Sequence, residues 1–535
     1  MKEKLIAFFK TYGIDLLFYS FLVYNCLILF QTYYVPTLDA GAHNYNAKIM
    51  SALLFGNDSV YSNFYQLNPE LVPNWFASAL LMVLNWFFNV NVAEKILLLI
   101  YFISFPVLFK KIVDFLYGEK TVMVLLVFPF TQFCFLYFGF FNFAYGIVLC
   151  LCGILFWLKK SEELGFKRIL FFFIICLLTY FSHLFSFISL VIFCFFYETY
   201  TFLYNTLLSN EKRQFKIQFK ISFLKSIKLI LCFIVPFVLM LNYFSKRPSE
   251  GKKAFLESPR LNEMMTSGEV FKSFGAAEDK AATGIFYVLA ILMVFSIVIR
   301  FIEFSKNKKV SDLVKKHDFL FFASMLMLYF FYTQPDADGY GGFISLRLVL
   351  YTLLFLSLWL AINKFERSIK IVSVLILFSS YYFLMDSKKD SLKWLNVELK
   401  KFDDVAPNVK EGSIVLPLMF ADYNWLGNHY SNYIGARAKV IVLENYEAST
   451  GYFPILWKNP EMSKAISTLP ADSAASMALM DGIKSYPFGR IEYLLIYGNK
   501  SGQKSYDVIM KRVEEDYWLK HSNKDVYLYE RRKDK

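Results

Sequence analysis

"WFASALLMVLNWFFNV", residues 75 to 90, is followed almost at once by "AEKILLLIYFISFPVLFKK", residues 93 to 111. Whether the first stretch crosses a membrane decides the topology. If both cross, Lys110 and Lys111 fall outside and every later basic loop is inverted. If the first lies along the outer surface, all of those loops fall inside. Its sixteen residues are short for a span, which needs about 20 residues to cross roughly 30 Å of hydrocarbon. Trp75 and Trp86 near its ends suit an interfacial helix. The sequence therefore predicts a helix lying at the outer interface.

The rest of the chain supplies the membrane. It is 56% hydrophobic and carries 61 Phe in 535 residues, well above soluble composition. Apolar runs recur from residue 14 to residue 386. Backbone satisfaction in lipid then requires helices. Spans are expected near 14–30, 95–112, 121–138, 143–158, 168–182, 184–204, 228–244, 284–304, 318–333, 347–362 and 370–386, about eleven in all. "MKEK" at the start places the N-terminus in the cytoplasm. Residues 209–228 hold six Lys or Arg against Glu211, and residues 305–317 hold five Lys against Asp312. Both loops come out cytoplasmic, so the net charge of +13 orients the protein and does not serve a nucleic acid. The seven cysteines all lie in apolar runs, as small core residues. "AGA" at 40–42 imitates a cleavage site, but it lies some ten residues beyond the run at 14–30, so a retained first span is expected.

An odd number of spans places everything after residue 387 outside. There the long apolar runs stop, and short strand-like pieces appear: "GSIVLPL", "AKVIVLE", "EYLLIYG", "DVYLYER". Helix-like stretches such as "SAASMALMDGI" lie between them. The fold class expected is a polytopic α-helical membrane protein with a C-terminal soluble α/β domain. Residues 1–386 form the transmembrane part, with outer-surface helices at 39–94, and residues 387–535 form the extracytoplasmic domain, in an inner or plasma membrane.

Candidate chemistry gathers on the outer side. In "VPTLDAGAHNYNAKIM", 35–50, Asp39 and His43 stand four residues apart, on one face if the segment is helical. Asp39 reads either as the N-cap of a solvated turn or as a carboxylate aimed at a substrate hydroxyl, with His43 as its partner or a second base. Arg347 closes the outer loop "YTQPDADGYGGFISLRLVL", 332–350, either snorkelling to headgroups or holding a phosphate. Asp336 and Asp338 in that loop read as an exposed acidic turn or a cation site. His183 in "TYFSHLFSF" marks a hinge between two spans, as a core histidine or a site residue. Asn142 is the one strongly polar side chain in the turn "YFGFFNFAYG", 137–146, where turn chemistry alone also explains it. The segment 427–457 is dense in Tyr, Trp, His and Asn, which fits an aromatic core or a sugar-binding roof over the site.

This order of features resembles the GT-C superfamily, integral membrane glycosyltransferases that use polyprenyl-phosphate-linked sugars. It rests on "TLDAGAH" after the first span, the proline-bearing "LNPELVPNW", the interfacial helix, the late outer loop "GGFISLR" and the C-terminal domain. The resemblance implies an inverting transfer in which Asp39 activates the acceptor and Arg347 holds the donor phosphate. The acceptor would be a glycan, lipid or protein, and the work that of cell-envelope assembly. His183 and Asn142 would stand on the substrate side. Where many members carry two acidic residues in the first loop, Ala40 and Gly41 follow Asp39, so Glu70 is the candidate second carboxylate. Members differ in metal dependence, which leaves a divalent cation open. Competing readings are a polysaccharide polymerase or ligase, a flippase for a lipid-linked glycan, and a glycan-binding assembly partner.

Overall fold

The computed structural model describes residues 2–56, 59–163, 165–208, 212–246, 252–338, 341–420, 425–459, 462, 491–499, 501–502 and 504–532. The helix expected at 473–483, Asp58, and Gly339 and Tyr340 of the glycine-rich loop lie outside these residues.

The deciding stretch forms the helix Phe76–Phe87. Twelve residues at 1.5 Å each cover roughly 18 Å, well short of a bilayer core. Trp86, Phe87 and Phe88 at its end are exposed.

All eleven stretches expected to cross are helical. Among the described residues, eight helices are long and apolar enough to cross a membrane. The other three are Val122–Gln132 with one turn after it, Phe166–Ser182 and Phe319–Thr333. The last two have 17 and 15 residues, or roughly 25 and 22 Å of α-helix. The first is wound as a 3₁₀-helix around Pro129, which cannot donate to a helical ladder. Apolar run length reports burial as well as spanning, and Met123–Gln132 is buried throughout.

The chain divides into two compact units. One comprises Met1–Phe30, Leu99–Leu136 and Phe143–Lys389; the other comprises Gln31–Leu98, Tyr137–Asn142 and Asp390–Lys535. The first is a helical unit with a densely aromatic core. Its one fully buried ion pair among the described residues joins Lys388 to Glu278 at 2.6 Å, both side chains 0% exposed. Lys388 Nζ also donates to Phe271 O and Ser273 Oγ, and the Phe274 amide donates to Glu278.

The second unit holds a five-stranded mixed sheet in the order Ile441–Val442, Ile414–Met419, Tyr493–Tyr497, Val526–Arg531, Tyr517–Asn523. The first three are parallel and the rest antiparallel. Four of these strands fall on the four expected pieces. Tyr517–Asn523 was not foreseen, because "YWLKHSN" has no apolar run. Pro417 inside the strand Ile414–Met419 breaks no ladder. Ser413 and Val415 offer their carbonyls to the two-residue strand Ile441–Val442 and its successor, and Pro417 faces the same way, past that strand's end. A separate ribbon pairs Tyr65–Leu67 with Ile455–Trp457, and Tyr65 stacks on Trp457 at 4.2 Å.

Lys388→Met strands the Glu278 carboxylate in an apolar interior. It is expected to destabilise the protein by about 3–5 kcal/mol, measured as a lowered thermal midpoint of the purified chain. The double variant Lys388→Met, Glu278→Leu is expected to recover most of the loss.

Candidate functional site

The polar segment after residue 38 forms the helix Ala40–Phe55 in the second unit. It is not a solvated turn. Residues 40–47, 49 and 50 are buried, with His43, Asn44 and Asn46 among them. Buried polar groups demand partners, and the C-terminal part of the chain supplies most of them. Asn46 Nδ2 donates to Glu447 Oε2 at 2.6 Å, and Asn445 Nδ2 donates to Asn46 Oδ1 at 2.7 Å. Tyr45 donates its hydroxyl to Val440 O, and Lys48 Nζ donates to Ala438 O. Asn44 Nδ2 and the Tyr433 hydroxyl both donate to Glu94 Oε2, at 3.3 and 2.9 Å.

Asp39 occupies the N-cap position, yet its side chain makes no capping bond. The Ala40 amide bonds Thr37 Oγ1 instead. Asp39 is only 4% exposed, and its Oδ1 accepts no hydrogen bond among the described residues. The Tyr446 hydroxyl is directed at the carboxylate, and His429 Nε2 stands 3.9 Å from Oδ1. Burial raises the pKa of Asp39, the His429 and His43 charges pull it back, and the result is about 6. A carboxylate with an open oxygen and a pKa just below neutrality is suited to accept a proton.

His43 lies one turn on. Its Nε2 is 2.8 Å from Gly139 O and its Nδ1 is 2.8 Å from Glu447 Oε1. The Gly139 carbonyl and the Glu447 carboxylate stand beside the two ring nitrogens. Burial alone would lower its pKa, but the Glu447 carboxylate outweighs it and pushes His43 up to about 9. The carboxylate behind it thus favours a cationic His43 beside Asp39.

His429 repeats the arrangement. Glu444 receives its Nδ1 and also accepts from Ser431 Oγ and Asn432 Nδ2. The ring stacks on Tyr446 at 4.3 Å. Burial again opposes the charge, Glu444 restores it, and the pKa rises to about 8. Asp39 is thus flanked by two imidazoles, each held from behind by a glutamate.

The turn 137–142 closes around Asp39. Gly139 has φ +79°, and a Cβ there would lie 2.7 Å from Asp39 N, so only glycine fits. Leu38 N donates to Tyr137 O. Asn142 is turned the other way: its Oδ1 accepts from Ala77 N at 2.8 Å and its Nδ2 donates to Asn74 O at 3.0 Å. It thereby pins the start of the interfacial helix. Glu70 sits half-exposed on the loop before that helix, its amide bonded to Asn68 Oδ1.

Arg347 and His183 belong to the helical unit, where Phe143 brings them together. The Arg347 guanidinium lies 5.7 Å from the Phe143 ring, and the His183 ring lies 4.8 Å from it. Arg347 also lies 5.4 Å over Phe135 and donates to Gly342 O at 2.7 Å. Asp336 and Asp338 accept from the Ser345 and Gly341 amides, which is turn chemistry. Among the described residues no group of three or more His, Cys, Asp or Glu is placed to hold a metal ion.

His429, Glu444, Glu447 and Glu94 were not singled out in the sequence. The signal available was the polar density of 427–457 and the pair of glutamates in "LENYE", 443–447.

Glu447→Gln removes the charge behind His43 while keeping its size. His43 is raised above its unfolded value, so its contribution to stability is complete below about pH 6.5 and is lost as the pH rises through about 9. The thermal midpoint of the native protein is expected to fall over that window. Glu447→Gln is expected to lower the midpoint at pH 6.5 and to flatten the alkaline fall. A native-like pH dependence in the variant would contradict the pairing.

No protein-family profile matches the chain. No curated protein is similar to it. Among solved structures it is similar to ArnT from Cupriavidus metallidurans in the apo state, at 10% identity and a TM-score of 0.50, over 97% of this chain and 98% of that one. The likeness runs over nearly the whole of both chains. This chain shares its overall fold with ArnT, and among its described residues eight helices are long and apolar enough to cross a membrane.

Proposed function

We propose that the chain is a membrane glycosyltransferase that moves a sugar from a polyprenyl-phosphate-linked donor to an acceptor hydroxyl on the extracytoplasmic face. The observation that carries this is Asp39: buried, not used as a cap, with an open oxygen and a pKa near 6. A structural carboxylate at a helix start caps it or faces water; this one does neither. The GT-C fold supports a lipid-linked donor.

In the reaction, the acceptor oxygen attacks C1 of the sugar as Asp39 takes its proton. The bond from C1 to the phosphate oxygen breaks, and its electron pair leaves with the polyprenyl phosphate. A single displacement inverts the anomeric carbon. Arg347 is assigned to the leaving phosphate, whose charge grows in the transition state. His43 and His429 keep Asp39 ionised in a buried setting that would otherwise protonate it. Asn142 and Gly139 place the loop that holds it.

The test is release of polyprenyl phosphate from a panel of polyprenyl-phosphate-linked hexoses and pentoses. Asp39→Asn is expected to lower the rate by about 10²–10⁴-fold with an unchanged or higher thermal midpoint, since the neutral amide suits a buried position. Arg347→Ala is expected to lower it by roughly 10²-fold. Wild-type release by Asp39→Asn would remove the proposed base. Movement of an intact lipid-linked glycan across vesicles with no phosphate release would establish the flippase reading instead.

A further inference from the structure

We propose that Glu94 is a positioning residue that works as a neutral carboxylic acid: it shares a proton with Asn44 and clamps together the two segments that carry Asp39 and His429. Glu94 lies near the start of the helix Val90–Tyr117, in the same unit as both segments. It is 0% exposed. Its Oε2 accepts from the Asn44 amide and the Tyr433 hydroxyl, while its Oε1 accepts no hydrogen bond among the described residues. The cationic side chains near it are Lys95 and His43. Lys95 Nζ donates to Thr32 O at 2.6 Å, and His43 is paired with Glu447. The remaining titratable neighbours are the phenols of Tyr430 and Tyr433.

A fully buried carboxylate without an ion pair is costly as an anion. The amide beside it says where a proton would go. Asn44 Nδ2 donates to Ala40 O at 3.0 Å as well as to Glu94 Oε2 at 3.3 Å. The amide cannot be turned over, since Oδ1 would then face the Ala40 carbonyl. Asn44 Oδ1 is therefore an acceptor, and it too is buried and receives no hydrogen bond among the described residues. Two side chains already joined by one hydrogen bond thus each hold an open oxygen in the same dry interior. Two acceptors cannot bond to each other. A proton on Glu94 Oε1, donated to Asn44 Oδ1, satisfies both at once and closes a paired acid–amide ring.

The pair sits where two segments meet. Asn44 belongs to Ala40–Phe55, whose N-cap position is Asp39. Tyr433 belongs to the short helix Asn432–Arg437, and Asn432 Nδ2 at its start donates to His429 O. The first turn of the longer helix presses on this segment. A Cβ on Gly41 would lie 2.8 Å from the Tyr433 ring and 3.1 Å from His429 O. Glu94 therefore bonds both sides of the contact that keeps His429 Nε2 3.9 Å from Asp39 Oδ1. Neutral, it holds Asn44 by two bonds; ionised, it sets two oxygens against each other. The clamp holds whether or not the chain transfers sugars.

The test is infrared difference spectroscopy of the full chain in neutral detergent. At neutral pH the native spectrum is expected to hold a protonated-carboxyl carbonyl band that Glu94→Gln lacks. Tyr433→Phe is expected to shift that band to higher frequency, because the carbonyl oxygen loses a donor. Glu94→Gln offers the same donor and acceptor and is expected to keep the native thermal midpoint, while Glu94→Ala is expected to lower it. Titration of the carboxyl that Asp39→Asn removes reads the positioning. Its midpoint, about 6 in the native chain, is expected to stay in Glu94→Gln and to rise in Glu94→Ala, where His429 is less firmly held. Tyr433→Phe is expected to move it the same way by less, and carries the reading if Glu94→Ala does not fold. No band difference between the native chain and Glu94→Gln, or midpoints lowered equally by Gln and Ala, would overturn the proton. A native midpoint raised by sodium chloride over choline chloride, with no such rise in Glu94→Gln, would put a cation in its place and overturn it as well. An Asp39 titration unmoved in every folded variant would overturn the positioning role.

Discussion

A polar helix buried on nearly all sides is the constraint around which the C-terminal unit is built. Residues 43–46 of Ala40–Phe55 present an imidazole, two amides and a phenol to an interior that excludes water. Left unpaired, each would cost a few kcal/mol. The structure answers with partners from far along the chain. Glu447 reaches His43 and Asn46, Val440 takes the Tyr45 hydroxyl, and Gly139 takes the far side of His43. The unit therefore cannot be divided into a membrane-proximal loop and an independent tail. The ribbon between Tyr65–Leu67 and Ile455–Trp457 makes the same point with backbone bonds.

The burial has an electrostatic consequence. A carboxylate deep in protein protonates unless positive charge stands near it. Here the neighbouring groups are two buried imidazoles, and Glu447 and Glu444 behind them raise their pKa values to about 9 and about 8. The arrangement favours an ionised Asp39 near neutrality without a hydrogen bond to its Oδ1, since His429 Nε2 remains 3.9 Å away. A fully bonded carboxylate would be a weaker base. The C-terminal part of the chain thus contributes to the chemistry proposed for Asp39.

Much of the layout was legible in the sequence because it depends on local pattern. Run length and flanking tryptophans marked Phe76–Phe87 as too short to span, and short strand-like pieces marked four of the five strands of the main sheet. Asp39 and His43 stood out as polar residues between apolar runs. The site's other half did not. Asn46 and Glu447 are 401 positions apart, and no periodicity links them. Nor could residue type reveal that Asp39 leaves the cap to Thr37, or that Glu447 stands 2.8 Å behind His43.

The most direct measurement is the pH dependence of polyprenyl phosphate release by the native chain and by His429→Gln. The native rate is expected to fall on the acid side through about pH 6, as Asp39 takes up a proton. Without the imidazolium, burial acts unopposed by that charge. The acid limb of His429→Gln should then move to higher pH, with activity recovering as the pH is raised. An acid limb that stays in place, with activity lost equally at every pH, would show that His429 does not govern the ionisation of Asp39.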